Sequence, residues 1–337
     1  MYKRKKNFDG VLLPLLLAFI CFLTNKINIP VSTDINKILP EIFSVAAVNA
    51  NYKRTGVFGE IRDITNFLPE AEIKPQETVQ PPAEEPEIEV VEKKVTYAEN
   101  TENKNGYEKV FLTNHTDYDV NLSELMNGYA PPKRKDDVQI LIIHTHATEG
   151  YADSKGSRTT ETDKNMIAVG NVFSDALKEK GFKVVHDIKL HDYPSYNGSY
   201  ANSLKVMNWY IEHYPDIDII FDLHRDAVGD SDEQRVKFVT EINGKKAAQL
   251  MLVTGTNEGG LNHPSWQENL KFAAGLQNVV CNMYPDLMRA VDLRKERFNQ
   301  HVTKNSIIVE VGSNGNSIEE AKYSVTLLAE ALDKYIT

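Results

Sequence analysis

ILIIHTHATEGY, from Ile140 to Tyr151, sets four aliphatic residues directly against two histidines two positions apart and a glutamate three residues beyond. A short, continuous apolar run of this kind predicts a strand buried on both faces. One histidine at its end would ordinarily be a structural residue with a satisfied hydrogen bond. Two, with a carboxylate close by, point to chemistry.

The pattern around this stretch alternates strand with helix. VQILII (Val138–Ile143) is the strand, and ETDKNMIAVGNVFSDALKEKG puts Met166, Val169, Phe173, Ala176 and Leu177 on one helical stripe. Thr162 or Asp163 would cap that helix and Gly181 would stop it. KVVHD (Lys183–Asp187) is a short strand, ANSLKVMNWYIEHYP a helix ended by Pro215, and IDIIFDL (Ile217–Leu223) another apolar strand. VKFVTEING and KAAQLMLVTG read as two strands joined by an Asn243-Gly244 hairpin turn. WQENLKFAAGLQNVVCNMY is a helix, SIIVEVG (Ser306–Gly312) a last strand and SIEEAKYSVTLLAEALDKYI a closing helix. The expectation is an α/β fold with a mostly parallel central sheet flanked by helices on both faces.

Composition limits the function. The 337 residues are 41% hydrophobic, enough for a sizeable core, and carry a formal net charge of -10, which argues against a nucleic-acid partner. Two cysteines, Cys21 and Cys281, exclude a cysteine zinc site. The basic MYKRKKNFDG precedes an apolar VLLPLLLAFICFLT (Val11–Thr24). That run is short for a spanning helix and contains Pro14, so a signal peptide competes with an anchor. The first small-residue cleavage candidate, VAAVNA (Val45–Ala50), lies more than 20 residues beyond it. Residues 1–29 are therefore read as a membrane anchor or signal segment, with the uncleaved anchor preferred and the rest of the chain on the outer face. Residues 30–106 are read as a juxtamembrane region and flexible linker, because 74–106 are rich in Pro, Glu, Lys and Asn and poor in aromatics. Residues 107–337 are the expected folded domain, where the catalytic-looking residues begin.

Three predicted strands end in residues that bind metals or move protons: His144, Thr145 and His146; His224, Arg225 and Asp226; and Glu310. In open α/β sheets ligands bind beyond the carboxyl ends of the strands, so these residues should converge, with Glu161 at the same edge. Two histidines and a carboxylate around a vacant position are the ligand set of a hydrolytic zinc site, and Zn2+ is the expected cofactor. A further carboxylate must take the water's proton and pass it to the leaving amine. Glu310, in an otherwise apolar strand, is the candidate, since a carboxylate there is costly without a purpose. Glu149 is read as a loop residue or the support of a ligand, and His186, His191, His213 and His301 as structural or solvated.

HTHATEGY, DLHRDA, the LVTGTN and HPSW stretch, and IIVEVGSNGNSIEEA resemble the stage II sporulation protein P family of cell-wall hydrolases over residues 137–337. That family is similar to zinc-dependent N-acetylmuramoyl-L-alanine amidases, whose pattern is a strand, a His, a Glu about 15 residues on, a later strand-end His and a late strand Glu. The resemblance implies an amidase-like fold, with His146, Glu161 and His224 as zinc ligands and Glu310 as general base and acid. His144 is the alternative ligand or a neighbour of one, because HTHAT replaces the Gly-rich context of the amidase histidine. It also implies cleavage of the amide between the lactyl group of muramic acid and L-alanine, and a second activity on peptide cross-links. Peptidoglycan is then the substrate, the stage II sporulation proteins D and M the partners, and the engulfing mother-cell membrane the location. Tyr193, Tyr196, Tyr200 and Trp266 stand in polar loops where aromatics stack on sugars or peptides. Two other readings are a zinc carboxypeptidase or endopeptidase on wall peptides, and a non-catalytic wall-binding scaffold.

Overall fold

The computed structural model describes residues 89–96, 107–154, 156–228 and 234–336. In chain order the elements are β1 (Glu89–Lys93), β2 (Leu112–Asn114), α1 (Leu122–Leu125), β3 (Ile140–Ile143), α2 (Met166–Glu179) and β4 (Val184–His186). They continue as α3 (Ser199–His213), β5 (Ile219–Asp226), β6 (Gln234–Ile242), β7 (Lys245–Ala248) and β8 (Leu250–Gly255). The chain closes with α4 (Trp266–Met283), β9 (Val291–Arg294), β10 (Asn305–Ser313) and α5 (Ile318–Tyr335).

The main sheet has seven strands in the order β2-β9-β8-β10-β5-β3-β4. It is mixed, which corrects the expectation of a mostly parallel sheet. β10, β5, β3 and β4 run parallel to one another, as do β2, β9 and β8, and the two halves meet antiparallel at β8 and β10. A second sheet, β1-β6-β7, contains the expected hairpin. Its Asn243-Gly244 turn has positive φ at both residues, 52° and 75°, as a right-twisting two-residue connection requires. The stretch KAAQLMLVTG is two strands rather than one. Gln249 separates them by accepting from Val95 N at 2.8 Å and donating to Val95 O and Asp286 O at 2.7 Å each. β1 also corrects the linker reading, since Glu89–Lys93 pairs in parallel with β6. The remaining residues read as linker, and the anchor of residues 1–29, lie outside the described residues. No helix among the described residues is long and apolar enough to cross a membrane.

Strand alternation divides the sheet into two faces. Ile140 and Ile142 of β3, Ile219, Phe221 and Leu223 of β5, and Ile307, Val309 and Val311 of β10 enter one large cluster with residues of α2, α4 and α5. Leu141, Ile143 and Ile220 enter a smaller one with Met207 of α3. Beyond α3 this second face lines a cavity of about 650 Å3, whose walls take alternate residues of five strands. These are Thr113 of β2, Asp292 of β9, Met251 and Val253 of β8, Ile308 and Glu310 of β10, and His224 of β5. Polar side chains that would be costly in the apolar core thus face this cavity without breaking the apolar alternation.

α2 begins at Asn165, whose side chain accepts from Ile167 N, rather than at Thr162 or Asp163. Its Gly170 faces a pair of imidazoles, and a Cβ there would lie 2.5 Å from Nε2 of both His144 and His186. Gly170→Ala should therefore destabilise the fold. Helix propensity gains about 1 kcal/mol, but overpacking a buried site costs about 1 to 3 kcal/mol, and the two rings are already held against each other at 2.7 Å. Urea unfolding should show a net loss centred on roughly 1 kcal/mol and reaching about 2; raised stability would mean the pair is not rigidly packed.

Candidate metal centre

His146 and Glu149 close a tight turn directly after β3, with Glu149 N donating to His146 O at 3.2 Å. The turn brings the carboxylate back onto the ring, so that His146 Nδ1 lies 3.4 Å from Glu149 Oε1. His224, near the end of β5, approaches the other oxygen, its Nδ1 3.5 Å from Glu149 Oε2. The three side chains are buried, and their potential ligand atoms lie within 4.8 Å of one another, a grouping able to hold a metal ion. His146 and His224 meet edge to face with centroids 5.0 Å apart.

Several contacts hold this arrangement. Arg225 donates from its backbone N to Glu149 Oε2 at 3.1 Å, and its guanidinium donates to Gly150 O at 2.8 Å and Ser157 O at 2.6 Å. Tyr151 donates to Val311 O at 3.0 Å, and Asp192 accepts from Thr148 Oγ1 at 2.6 Å and Arg158 Nη1 at 2.8 Å. The nitrogens facing away from Glu149 are backed as well. His146 Nε2 is 3.1 Å from Ser199 Oγ, and His224 Nε2 is 3.1 Å from Asp222 Oδ1, close enough to pair although not aligned as a hydrogen bond. Asp222 in turn accepts from Thr145 N at 2.7 Å and Thr145 Oγ1 at 2.6 Å. A carboxylate behind a histidine orients the ring and fixes its tautomer, as in many metal sites.

Electrostatics divide the acids. Burial disfavours charge on Glu149, but His224, His146 and Arg225 outweigh it and hold the carboxyl well below its usual range. His224 behaves conversely: burial lowers it, yet Asp222 and Glu149 raise it well above the ordinary histidine value. Glu310 is the register neighbour of His224 across β10 and β5. Its Oε2 is enclosed without a hydrogen-bond partner. Burial pushes its carboxyl up to about 8, with Asp226 and Glu149 adding to the effect against His224 and Arg289.

The sequence candidates separate here. His146, His224 and Glu310 line one cavity together with Glu149. Glu161 does not join them. It stands in the loop before α2, exposed and paired with Lys164 Nζ at 2.5 Å. His144 shares the parity of Ile140 and Ile142 and so points to the opposite face of the sheet, where its Nε2 lies 2.7 Å from His186 Nε2. Asp222 escaped the sequence reading although it lies two residues before His224, on the same side of the strand. Among the aromatics, Tyr196 lies tilted against His146, with centroids 4.5 Å apart and planes at 31°, and Tyr200 meets it edge-on at 5.6 Å. Tyr193 is exposed, and Trp266 stacks instead on Tyr118 at 5.1 Å.

The histidine pair on the far face carries a pH effect. Burial, then His186, lower His144 to about 3, and burial lowers His186 to about 4. The unfolded chain takes up these protons near pH 6.5 and the native one does not, so the pair's stabilisation is present above 6.5 and is lost as pH falls below it. Glu310, protonated in the native state up to about 8, works in the opposite sense over the same window. The test is therefore a difference. In His186→Gln, which leaves His144 a hydrogen-bonding neighbour, the slope of unfolding free energy between pH 6.5 and 4.5 should fall by about one proton. An unchanged slope would contradict the assignment.

The stage II sporulation protein P family matches residues 41–333, and the chain belongs to that family. A curated relative, stage II sporulation protein P of Bacillus subtilis (strain 168), is 26% identical over 223 residues, which is 60% of this chain and 53% of the relative. The match thus spans about half the relative's length. Among solved structures, N-acetylmuramoyl-L-alanine amidase AmiC2 of Nostoc punctiforme is similar at 14% identity, covering 59% of this chain and 94% of that one with a TM-score of 0.33. The CwlD amidase of Clostridioides difficile, solved in complex with the GerS lipoprotein, is similar at 13% identity, covering 58% and 98% with a TM-score of 0.36. These scores are too low for either likeness to carry an inference.

Proposed function

We propose that the chain is a zinc-dependent peptidoglycan hydrolase, an N-acetylmuramoyl-L-alanine amidase acting on the cell wall during spore engulfment. The observation that carries this reading is the meeting of His146, Glu149 and His224 beside the enclosed carboxyl of Glu310. The donor set fits zinc: two imidazole nitrogens and one carboxylate face one another, with Asp222 and Ser199 behind the rings. His146, Glu149 and His224 would hold the ion, with Glu149 in the place given to Glu161 by spacing. The ion would supply Lewis acidity, acidifying a water and polarising the scissile carbonyl.

The protein's own groups supply the rest. Glu310, with both protonation states accessible near neutral pH, takes the proton of the attacking water and returns it to the leaving amine. Asp222 holds the His224 ring in orientation through the Thr145 and His224 contacts. Tyr196 and Tyr200 beside His146 offer faces for a sugar or peptide. By family resemblance the stage II sporulation proteins D and M are the proposed partners, and an N-terminal anchor places the domain on the outer membrane face.

The test is digestion of peptidoglycan by the full-length protein, with and without chelator, read by mass spectrometry. The expected products are stem peptides with free L-alanine amino termini and glycan carrying unsubstituted muramic acid, both abolished by chelator and restored by zinc. Release that survives chelation would overturn the zinc reading. Cleaved cross-links on otherwise intact stems would replace the amidase with an endopeptidase, and wall binding without any cleavage would leave a scaffold.

A further inference from the structure

We infer that Arg289 forms a subsite for a free carboxylate of the wall peptide, an assignment that rests on the peptidoglycan reading above. Arg289 lies just before β9 and is only 7% exposed, yet it lines the cavity that also holds His146, Glu149, His224 and Glu310. Two contacts set the orientation of its guanidinium. Nη1 donates to Asp226 Oδ2 at 2.9 Å, and the plane packs on Phe238, with the guanidinium carbon 4.3 Å from the ring centroid. Nε and Nη2 have no partner among the described residues.

Those two atoms form one edge of the guanidinium. Their N–H bonds run side by side and match the two oxygens of a carboxylate, the fork geometry of strong charge-assisted pairs. Buried donors left unmet are costly, and a ligand that meets them recovers that cost on binding. The surroundings select the ligand's charge. Asp226 already engages Nη1 and offsets part of the guanidinium's charge, so the remaining edge suits a single planar carboxylate better than a doubly charged phosphate. Stem peptides present such groups at a γ-linked glutamate, whose α-carboxyl is free, and at the C-terminus. Either would orient the peptide side of the scissile amide.

The experiment measures dissociation constants of the full-length protein for synthetic muramyl tripeptides by calorimetry. Carboxylate is exchanged for carboxamide separately at the glutamate and at the C-terminus, which tells the two sources apart. At one of these positions, amidation should weaken binding to the wild type by about 10- to 100-fold. Arg289→Lys, which keeps a cation for Asp226 but lacks the fork, should lose most of that preference, and Arg289→Gln all of it. The subsite is overturned if neither amidation weakens wild-type binding by more than about twofold. It is also overturned if the preference survives both variants, or if acid and amide ligands weaken equally in them, the mark of a positioning residue. Discrimination without hydrolysis would support the subsite and defeat the amidase reading; hydrolysis without discrimination would do the reverse.

Discussion

Glu310→Gln should lower hydrolysis of peptidoglycan by about a thousandfold while the protein still folds and binds the wall. The magnitude follows from the role: positioned acid-base groups contribute about 10²- to 10⁴-fold, and an amide can neither take nor return the proton. The same substitution should raise stability. Glu310 Oε2 is enclosed without a partner near Asp226 and Glu149, and its carboxyl is held up to about 8. The native state therefore keeps a proton that the unfolded chain releases near its ordinary carboxyl value. The wild type must lose stability as pH rises from about 4.5 to 8, and the glutamine variant is spared that loss. Its advantage in thermal melting should grow across this interval. Activity within tenfold of wild type would remove Glu310 from the chemistry, and a drop in stability would show that its carboxyl is better satisfied than its surroundings indicate.

Glu149→Gln should nearly abolish zinc binding, and Glu161→Gln should leave it unchanged. Glu149 contacts both histidines, at 3.4 Å and 3.5 Å, and neighbouring positive charge keeps it ionised. An amide in its place removes the charge that a divalent cation needs and leaves His224 facing one acid fewer. Affinity should fall at least about 100-fold. Glu161 is exposed and paired with Lys164, so the second substitution touches only a surface ion pair, worth about 0 to 1 kcal/mol. Competition with a zinc-chelating dye measures both. Equal losses, or a loss confined to Glu161→Gln, would restore the assignment made on spacing.

The contrast between these glutamates shows how far the sequence reaches. His146, His224 and Glu310 stood out because apolar strands deliver them, and burying polar groups there needs a reason. Glu149 did not, because its place depends on the turn it makes with His146, which the spacing of a related family could not reveal. Strand parity puts His144 on the side of Ile140 and Ile142, away from His224 on the side of Ile220, but His146 shares that parity and reaches the site only through the turn it makes with Glu149. The main strands and helices were readable from their periodicity. β2 (LTN) and β9 (VDLR) mix polar residues into three and four positions and so show no continuous apolar run. β1 exists through its pairing with β6 rather than through its composition, and the antiparallel junction of β8 with β10 is a long-range pairing. Local propensity holds no record of such tertiary choices.

Anomalous X-ray diffraction from crystals of the protein grown with one equivalent of zinc addresses the centre most directly. A single strong peak bonded to His146, Glu149 and His224, with Glu310 beside it, is the predicted result. A peak at Glu161 or on the His144–His186 face, or an empty centre at full zinc occupancy elsewhere, would contradict it.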